Sequence, residues 1–220
     1  MMKLLGSIFD LDGVIVDTAR FHYLAWKNLA ADLGFDFTPE EGEKIKGVSR
    51  MAALDIVLEA GGITGLTQDE KARLADKKNR QYREYLETLS SKDILPGVAD
   101  FLESLKVRRI RTAIGSASKN TKFILKKIGM SNEFDAVVDG YMTERAKPDP
   151  QVFLLAAEGI GLDPSECAVF EDAAAGVEAA NRGGMMSFGV GDPAILGAAD
   201  VVIPDFVHAG TLMKYFAKPV

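Results

Sequence analysis

The sequence has a single cysteine, Cys167, among its 220 residues. One cysteine cannot form a disulfide framework or a zinc cluster, and the apolar neighbours of Cys167 favour a buried side chain over a nucleophile. The sequence also lacks an apolar run long enough to span a bilayer and a signal-peptide pattern at its N-terminus. We therefore expect a cytoplasmic protein without a membrane partner.

An excess of positive charge is missing as well. The chain has 26 Lys and Arg residues against 32 Asp and Glu, a formal net charge of −6. This balance argues against a nucleic-acid partner, since such partners require basic surfaces. It leaves room for a small phosphorylated substrate, because one phosphate needs only local positive charge. We also expect a monomer.

What the sequence does contain is an apolar segment, residues 4–9, that ends in Asp10, Asp12 and Gly13. Such segments are typical of central strands in parallel sheets, where ligands bind beyond the carboxyl ends of the strands. Residues i and i+2 point the same way, so the two carboxylates should repel each other unless a cation or proton lies between them. The pair alone fits an acidic turn equally well, because Asp-Gly is a common turn sequence.

The pattern of the chain changes twice. Residues 18–91 show helical patterns and no strand pattern, whereas residues 93–220 alternate strands with helices. Alternation of this kind favours right-handed βαβ units and a parallel sheet. The sequence therefore predicts an α/β fold with two parts. Residues 1–16 and 93–220 form a doubly wound, Rossmann-like parallel-sheet core, and residues 17–92 form an inserted all-helical cap domain.

Polar side chains also follow three later strands. Ser116 follows the second strand, Lys147 lies in the loop after the third, and Glu171 and Asp172 end the fourth. Taken singly, each has a structural explanation as a helix cap, a solvated lysine or a partner of a helix dipole. Together at one rim they suit phosphoryl transfer. Carboxylates can hold Mg²⁺, attack phosphorus and move a proton, while a lysine and a serine hold phosphoryl oxygens.

These strand ends closely resemble the four motifs of the haloacid dehalogenase superfamily, with Asp10-x-Asp12-Gly13-Val14-x-x-Asp17-Thr18, Ser116, Lys147-Pro148 and Glu171-Asp172. The resemblance implies that Asp10 is the nucleophile and Asp12 the general acid and base. It implies that Ser116, Ala117 and Lys147 bind the transferred phosphoryl group. The implied ligands of Mg²⁺ are Asp10, the backbone carbonyl of Asp12, Glu171 and Asp172.

A finer resemblance, to the β-phosphoglucomutase family, involves the cap as well. It rests on Phe21-His22-Tyr23-Leu24-Ala25-Trp26, Lys46-Gly47-Val48-Ser49-Arg50, Lys78-Asn79 and Ser116-Ala117-Ser118-Lys119-Asn120. The implied substrate-binding residues are Thr18, His22, Trp26, Lys46, Gly47, Val48, Ser49, Arg50, Lys78, Ser116, Ala117, Ser118, Lys119 and Asn120. Of these, the residues implied for a second, distal phosphate are Arg50, Ser118, Lys119 and Asn120.

Lys78 is unusual in its helix, because it shares a stripe with the apolar side chains of Ala75, Tyr82, Leu86 and Leu89. A lysine in such a stripe usually extends its ammonium to water. The resemblance implies instead that Lys78 faces a closed, anionic site.

The resemblance implies a Mg²⁺-dependent phosphosugar mutase that interconverts β-D-glucose 1-phosphate and glucose 6-phosphate. The reaction would pass through a phospho-aspartyl enzyme and β-glucose 1,6-bisphosphate. One alternative is a phosphatase for sugar phosphates or pyrophosphate, which would share the core chemistry and differ in the cap. Another is a non-catalytic binding protein, which would be expected to lack Asp10, Asp12 or Lys147, although all three are present.

Overall fold

The computed structural model describes residues 3–218. Six strands form one sheet: β1 Gly6–Phe9, β2 Arg111–Gly115, β3 Ala136–Val138, β4 Cys167–Glu171, β5 Met186–Val190 and β6 Val201–Ile203. Their spatial order is β3-β2-β1-β4-β5-β6, and every neighbouring pair is parallel. The strand before the two aspartates is therefore central, at the point where the strand order reverses. Open α/β sheets bind ligands at this switch point.

The described residues contain eight α-helices: α1 Ala19–Asp32, α2 Pro39–Glu43, α3 Arg50–Ala60, α4 Gln68–Leu86, α5 Val98–Val107, α6 Thr121–Lys127, α7 Gln151–Gly159 and α8 Ala174–Arg182. Three 3₁₀ helices span Ser91–Asp93, Pro164–Glu166 and Phe206–Lys214. Helices α1 to α4 follow one another between β1 and β2, a stretch that is described throughout and has no named strand. The predicted fold class, a doubly wound parallel sheet with an inserted helical cap, is confirmed.

Both faces of the sheet are covered by apolar side chains. Ile8 of β1 packs in a cluster with Phe153 of α7 on one face, while Phe9 belongs to a second cluster with Phe101 of α5. The ring of Phe9 stacks on that of Phe170, with centroids 4.9 Å apart. Successive residues of a strand point to opposite faces, so a strand covered on both faces must be apolar throughout. This explains the apolar segment before Asp10, and Cys167 is buried in β4 as predicted.

The two connections between the sheet and the cap helices lie side by side. Val16 forms an isolated bridge with Ile94, and the Leu95 N–H donates to the Ile15 carbonyl at 2.9 Å. The cap helices also have a cluster of their own, which includes Trp26. The predicted domain limits at 16/17 and 92/93 lie next to these paired residues and stay a prediction. None of the described helices is long and apolar enough to cross a membrane.

Candidate active site

A buried lysine joins two of the strand ends. Lys147 Nζ donates to Asp10 Oδ1 at 2.6 Å and to Glu171 Oε2 at 2.9 Å, and the side chains of Lys147 and Glu171 are 0% exposed. Burial by itself would lower the pKa of Lys147, but the charges of Asp10 and Glu171 outweigh it and raise that pKa above its ordinary value. Lys147 is therefore a buried cation that fixes one oxygen of Asp10, and it is not a solvated loop lysine.

Three carboxylates form the second part of this centre. Asp10, Glu171 and Asp172 each place an oxygen within 4.8 Å of the others. Burial first, and then the charge of Asp10, raises the pKa of Asp172 to about 7. Burial also raises the pKa of Glu171 well above its ordinary value, although Lys147 opposes this. Carboxylates crowd in this way where a cation or a proton can compensate their charge.

The cluster suits a hard divalent cation. Glu171 Oε1 is buried and has no hydrogen-bond partner among the described residues. All three groups offer carboxylate oxygens, which are the ligands that Mg²⁺ takes. The predicted ligand at position 12 is a backbone carbonyl, which this side-chain cluster does not include, so that assignment stays a prediction.

The side chain of Asp12 contacts a different set of residues, which come from the start of the cap and from its helices. The Thr18 hydroxyl donates to Asp12 Oδ1, and the Tyr82 hydroxyl lies 3.4 Å from the same oxygen. His22 Nε2 is 4.0 Å from it. Burial first, and then the charge of Asp10, raises the pKa of Asp12 to about 6. A carboxyl with this pKa can both hold and release a proton near neutral pH, as a general acid and base must.

Two glycines allow close approaches at the centre. Gly13 has a φ of +83°, and a Cβ there would lie 2.1 Å from Asp172 Oδ2. Gly47, in the cap, has a φ of +69°, and a Cβ there would lie 2.9 Å from Ala173 Cβ. Only glycine leaves room at these places and adopts positive φ without strain. The first approach brings the turn after β1 to Asp172, and the second brings the cap against the start of α8.

The cap contributes a buried cationic side chain. Lys78 is 2% exposed, so it does not extend to water. Its Nζ lies 2.8 Å from His22 Nδ1 and over the rings of Trp26 and Tyr82, at 4.7 and 4.6 Å from their centroids. Burial and then the nearby charge of Arg50 lower the pKa of Lys78 well below its ordinary value. Burial and then the charge of Lys78 lower the pKa of His22 in the same way.

These groups surround one cavity of about 620 Å³ between the cap and the sheet rim, a volume within the range of small-molecule sites. The predicted site residues that line it are Asp10, Asp12, His22, Trp26, Lys46, Gly47, Val48, Ser49, Arg50, Lys78, Ser116, Ala117, Ser118, Lys119, Asn120 and Asp172. Three other predicted residues are fully or almost fully buried and outside this lining, namely Thr18, Lys147 and Glu171. They contact Asp10, Asp12 or each other, so their place is behind the cavity wall.

The loop after β2 supplies hydrogen-bond donors at the core side of the cavity. The Ser118 N–H donates to Ser116 Oγ at 3.1 Å, and the Asn120 N–H donates to Ser118 Oγ at 3.2 Å. Asn120 Nδ2 donates to Oδ1 of Asn79 on the cap at 3.1 Å. The loop is thus internally ordered and is tied to the cap by one side-chain contact.

Sequence reasoning overlooked Tyr82 as a site residue. Its ring centroid is 3.9 Å from that of His22, and its hydroxyl approaches Asp12. The available signal was its spacing, because Tyr82 follows Lys78 by four residues and so lies on the same helix face. The wall formed by Gly140, Thr143, Glu144, Arg145 and Ala146 was also missed, since loop lengths and apolar periodicity carry no information about it.

A central aspartate held by a buried lysine, on a doubly wound sheet with a helical cap, defines a class of phosphoryl-transfer enzymes. Residues 7–184 match the haloacid dehalogenase-like hydrolase family, and the chain belongs to this family. Within it, the chain is 40% identical to the β-phosphoglucomutase of Bacillus subtilis over 197 residues, 89% of this chain and 87% of that protein. This close homology supports an enzyme of the β-phosphoglucomutase type.

Solved structures agree with this relationship. The crystal structure of β-phosphoglucomutase from Clostridium difficile has a TM-score of 0.91 and 38% identity, and the match covers 96% of this chain and 97% of that one. A phosphatase of phosphorylated carbohydrates from Thermotoga maritima is 32% identical over 180 residues, 81% of each chain. The relatives therefore support a phosphosugar mutase and include a phosphatase on a similar chain.

The lowered pKa of His22 has a measurable consequence. We expect the His22 imidazole to stay neutral from pH 8 down to pH 6, because burial and Lys78 both disfavour its protonation. Ring resonances followed by NMR over this range test it, with the His22→Gln variant used to assign the signal. A protonation midpoint at or above its ordinary value of 6.5 would contradict the arrangement of Lys78 beside this ring.

Proposed function

We propose that the protein is a Mg²⁺-dependent mutase that interconverts β-D-glucose 1-phosphate and glucose 6-phosphate through β-glucose 1,6-bisphosphate and phospho-Asp10. The observation that carries the proposal is the set of side chains that line the 620 Å³ cavity between the cap and the sheet rim. Its lining includes Asp10 and Asp12 on the core side and Arg50 on the cap side. A bisphosphate that must bind in two orientations needs an anion site at each end, whereas a phosphatase needs only one.

The first half of the reaction uses Asp12 as a base. The 6-hydroxyl of glucose 1-phosphate attacks the phosphorus of phospho-Asp10, and Asp12 takes the proton of that hydroxyl. The bond between phosphorus and the Asp10 oxygen breaks, which forms the 1,6-bisphosphate and frees the Asp10 carboxylate. The raised pKa of Asp12, about 6, lets its carboxylate accept the proton without being held in the acid form at neutral pH.

The second half returns the same proton. After the bisphosphate has turned round, the Asp10 carboxylate attacks the phosphorus at C1, and Asp12 gives its proton to the departing sugar oxygen. Glucose 6-phosphate leaves, and phospho-Asp10 is restored. Lys147 orients Asp10 throughout, since it donates to Oδ1 at 2.6 Å while the Asp12 N–H donates to Oδ2 at 3.0 Å. Ser116 and Ala117 line the same cavity as Asp10 and would bind phosphoryl oxygens.

Asp10, Asp172 and Glu171, with the Asp12 carbonyl, would hold Mg²⁺, which when bound supplies positive charge to the phosphoryl oxygens. The close approach of Gly47 to Ala173 and the hydrogen bond between Asn79 and Asn120 place the cap against the core, and we infer that the cap closes over the bound substrate. Closure excludes water, which would otherwise hydrolyse phospho-Asp10.

We also propose that the enzyme acts as a cytoplasmic monomer.

Substitution of Arg50 distinguishes a mutase from a phosphatase. We expect Arg50→Ala to lower kcat/KM for mutase turnover by about 10- to 100-fold, because charge-assisted hydrogen bonds to the distal phosphate contribute roughly 1.5–3 kcal/mol. Hydrolysis of a monophosphate, which has no distal phosphate, should change by less than about threefold. Parallel assays of glucose 6-phosphate formation and phosphate release measure both.

Two further variants sharpen this test. Arg50→Lys should be intermediate, since lysine keeps the charge and loses the bidentate geometry. Arg80→Ala removes an exposed cation from the same cap and serves as the control, which we expect to retain full mutase activity. Equal losses of mutase and phosphatase activity in Arg50→Ala would favour the phosphatase alternative, which the Thermotoga maritima relative represents.

A further inference from the structure

The turn after β3, residues 139–142, packs against the loop that carries the predicted phosphate-binding residues. The Gly140 N–H donates to the Ser118 carbonyl at 3.1 Å, and the Met142 N–H donates to the Asp139 carbonyl at 2.9 Å. A Cβ on Gly140 would lie 2.3 Å from the Ala117 carbonyl oxygen. The turn therefore has a fixed position on this loop.

Tyr141 projects from this turn with little to hold it in the fold. Tyr141 is 74% exposed, and its backbone N–H donates to Asp139 Oδ1 at 2.9 Å. Lys119 Nζ lies 5.3 Å from the centroid of its ring, which is within the range of a cation–π contact. The ring thus has a defined place beside Lys119, although it buries little apolar surface.

Lys119 is the cation that this ring could orient. It lines the cavity and is exposed. Among the described residues it forms no salt bridge, and the nearby Asp139 pairs instead with Lys122, at 3.4 Å. A lysine without a carboxylate partner keeps most of its rotamer freedom and must lose it when it binds an anion. A ring that already restricts the ammonium reduces this loss.

We propose that Tyr141 is a positioning residue for the distal phosphate. Its ring holds the Lys119 ammonium at the edge of the cavity, where that ammonium and Arg50 bind the phosphate that is not being transferred. The ligand class is a sugar bisphosphate, so this inference rests on the proposed function. Tyr141 itself lies outside the cavity lining and acts through Lys119.

The test uses the fluorescence of Trp26, the single tryptophan, which lines the cavity. Titration with β-glucose 1,6-bisphosphate and Mg²⁺ in an Asp10→Asn background keeps the ligand intact. We expect Tyr141→Leu to weaken binding by about fivefold, as an exposed cation–π contact allows, and Tyr141→Phe to remain within about twofold of the parent. Met142→Leu, on the same turn and outside the lining, is the matched control and should not change the affinity.

A double-mutant cycle assigns the effect to Lys119. In a Lys119→Met background, Tyr141→Leu should have no further effect on bisphosphate affinity. With the native Asp10, hydrolysis of p-nitrophenyl phosphate, which has one phosphate, should be the same for Tyr141→Leu and the parent. An undiminished effect in the Lys119→Met background, or a parallel loss of this hydrolysis, would overturn the proposal in favour of a general distortion of residues 116–120.

The two proposals fail in different ways. If the native enzyme binds the bisphosphate but forms no glucose 6-phosphate, the proposed function is wrong and the role of Tyr141 is still supported by the cycle. If Tyr141→Leu binds as tightly as the parent while mutase turnover is present, only the role of Tyr141 is overturned. Absence of bisphosphate binding in the parent would overturn both.

Discussion

Asp10→Asn is expected to abolish turnover and the formation of a phosphoenzyme. An amide is not a nucleophile for phosphorus, and the change also removes the carboxylate that Lys147 orients at 2.6 Å. The measurement is acid-quenched trapping of labelled protein after incubation with labelled β-glucose 1,6-bisphosphate, together with a coupled assay for glucose 6-phosphate. We expect neither signal above background.

Two variants accompany this experiment. Asp12→Ala should still bind the bisphosphate while losing turnover, since it removes the proton carrier and leaves the nucleophile. Asp36→Asn changes an aspartate whose side chain is 78% exposed, and it should retain full activity. An active Asp10→Asn protein would show that the nucleophile lies elsewhere, and near-normal rates in Asp12→Ala would remove its role as acid and base.

Lys147→Met is expected to destabilise the protein as well as inactivate it. The change leaves the carboxylates of Asp10 and Glu171 buried without their cation, and removal of one partner from a buried ion pair costs roughly 3–5 kcal/mol. The free energy of unfolding, measured by denaturant titration with a chelator present, should fall by about this amount near pH 7. Activity should fall with it, because Asp10 loses its orientation.

The loss of stability in Lys147→Met should also depend on pH. Lys147 opposes the raised pKa of Glu171, so without Lys147 that pKa should rise further. The variant should therefore regain stability relative to the native protein as the pH falls and Glu171 becomes protonated. Lys127→Met is the control. Lys127 Nζ lies 3.1 Å from Oε2 of Glu87, whose side chain is 63% exposed, and surface pairs of this kind contribute about 0–1 kcal/mol. Equal losses of stability in the two variants, or a loss in Lys147→Met that does not depend on pH, would contradict the role of Lys147 as the buried partner of Asp10 and Glu171.

The core of the site could be predicted because local rules determine it. Asp10 and Asp12 follow the buried strand β1, and Glu171 and Asp172 stand at the end of the buried strand β4. The carboxyl ends of parallel strands necessarily lie at one rim. Lys147 was harder to assign, since a lysine before proline in a loop is usually solvated. Only its position between two buried carboxylates, 137 and 24 residues away in the chain, removes that explanation.

The cap could be predicted only in part. The stripe that contains Lys78 and Tyr82 follows from helical spacing, and its burial is confirmed. The partner of Lys78 does not follow from spacing, because His22 lies 56 residues away and is brought to it by the packing of α1 on α4. The contact between Thr18 and Asp12 and the wall after β3 likewise depend on tertiary packing, which no local pattern encodes.

The most direct test of the central claim is a paired assay with Mg²⁺, β-glucose 1-phosphate and a trace of β-glucose 1,6-bisphosphate. One arm couples glucose 6-phosphate formation to a dehydrogenase, and the other measures free phosphate. The account predicts rapid formation of glucose 6-phosphate with little free phosphate, because the closed cap keeps water from phospho-Asp10. Release of phosphate without glucose 6-phosphate would contradict it and would identify a phosphatase on this fold.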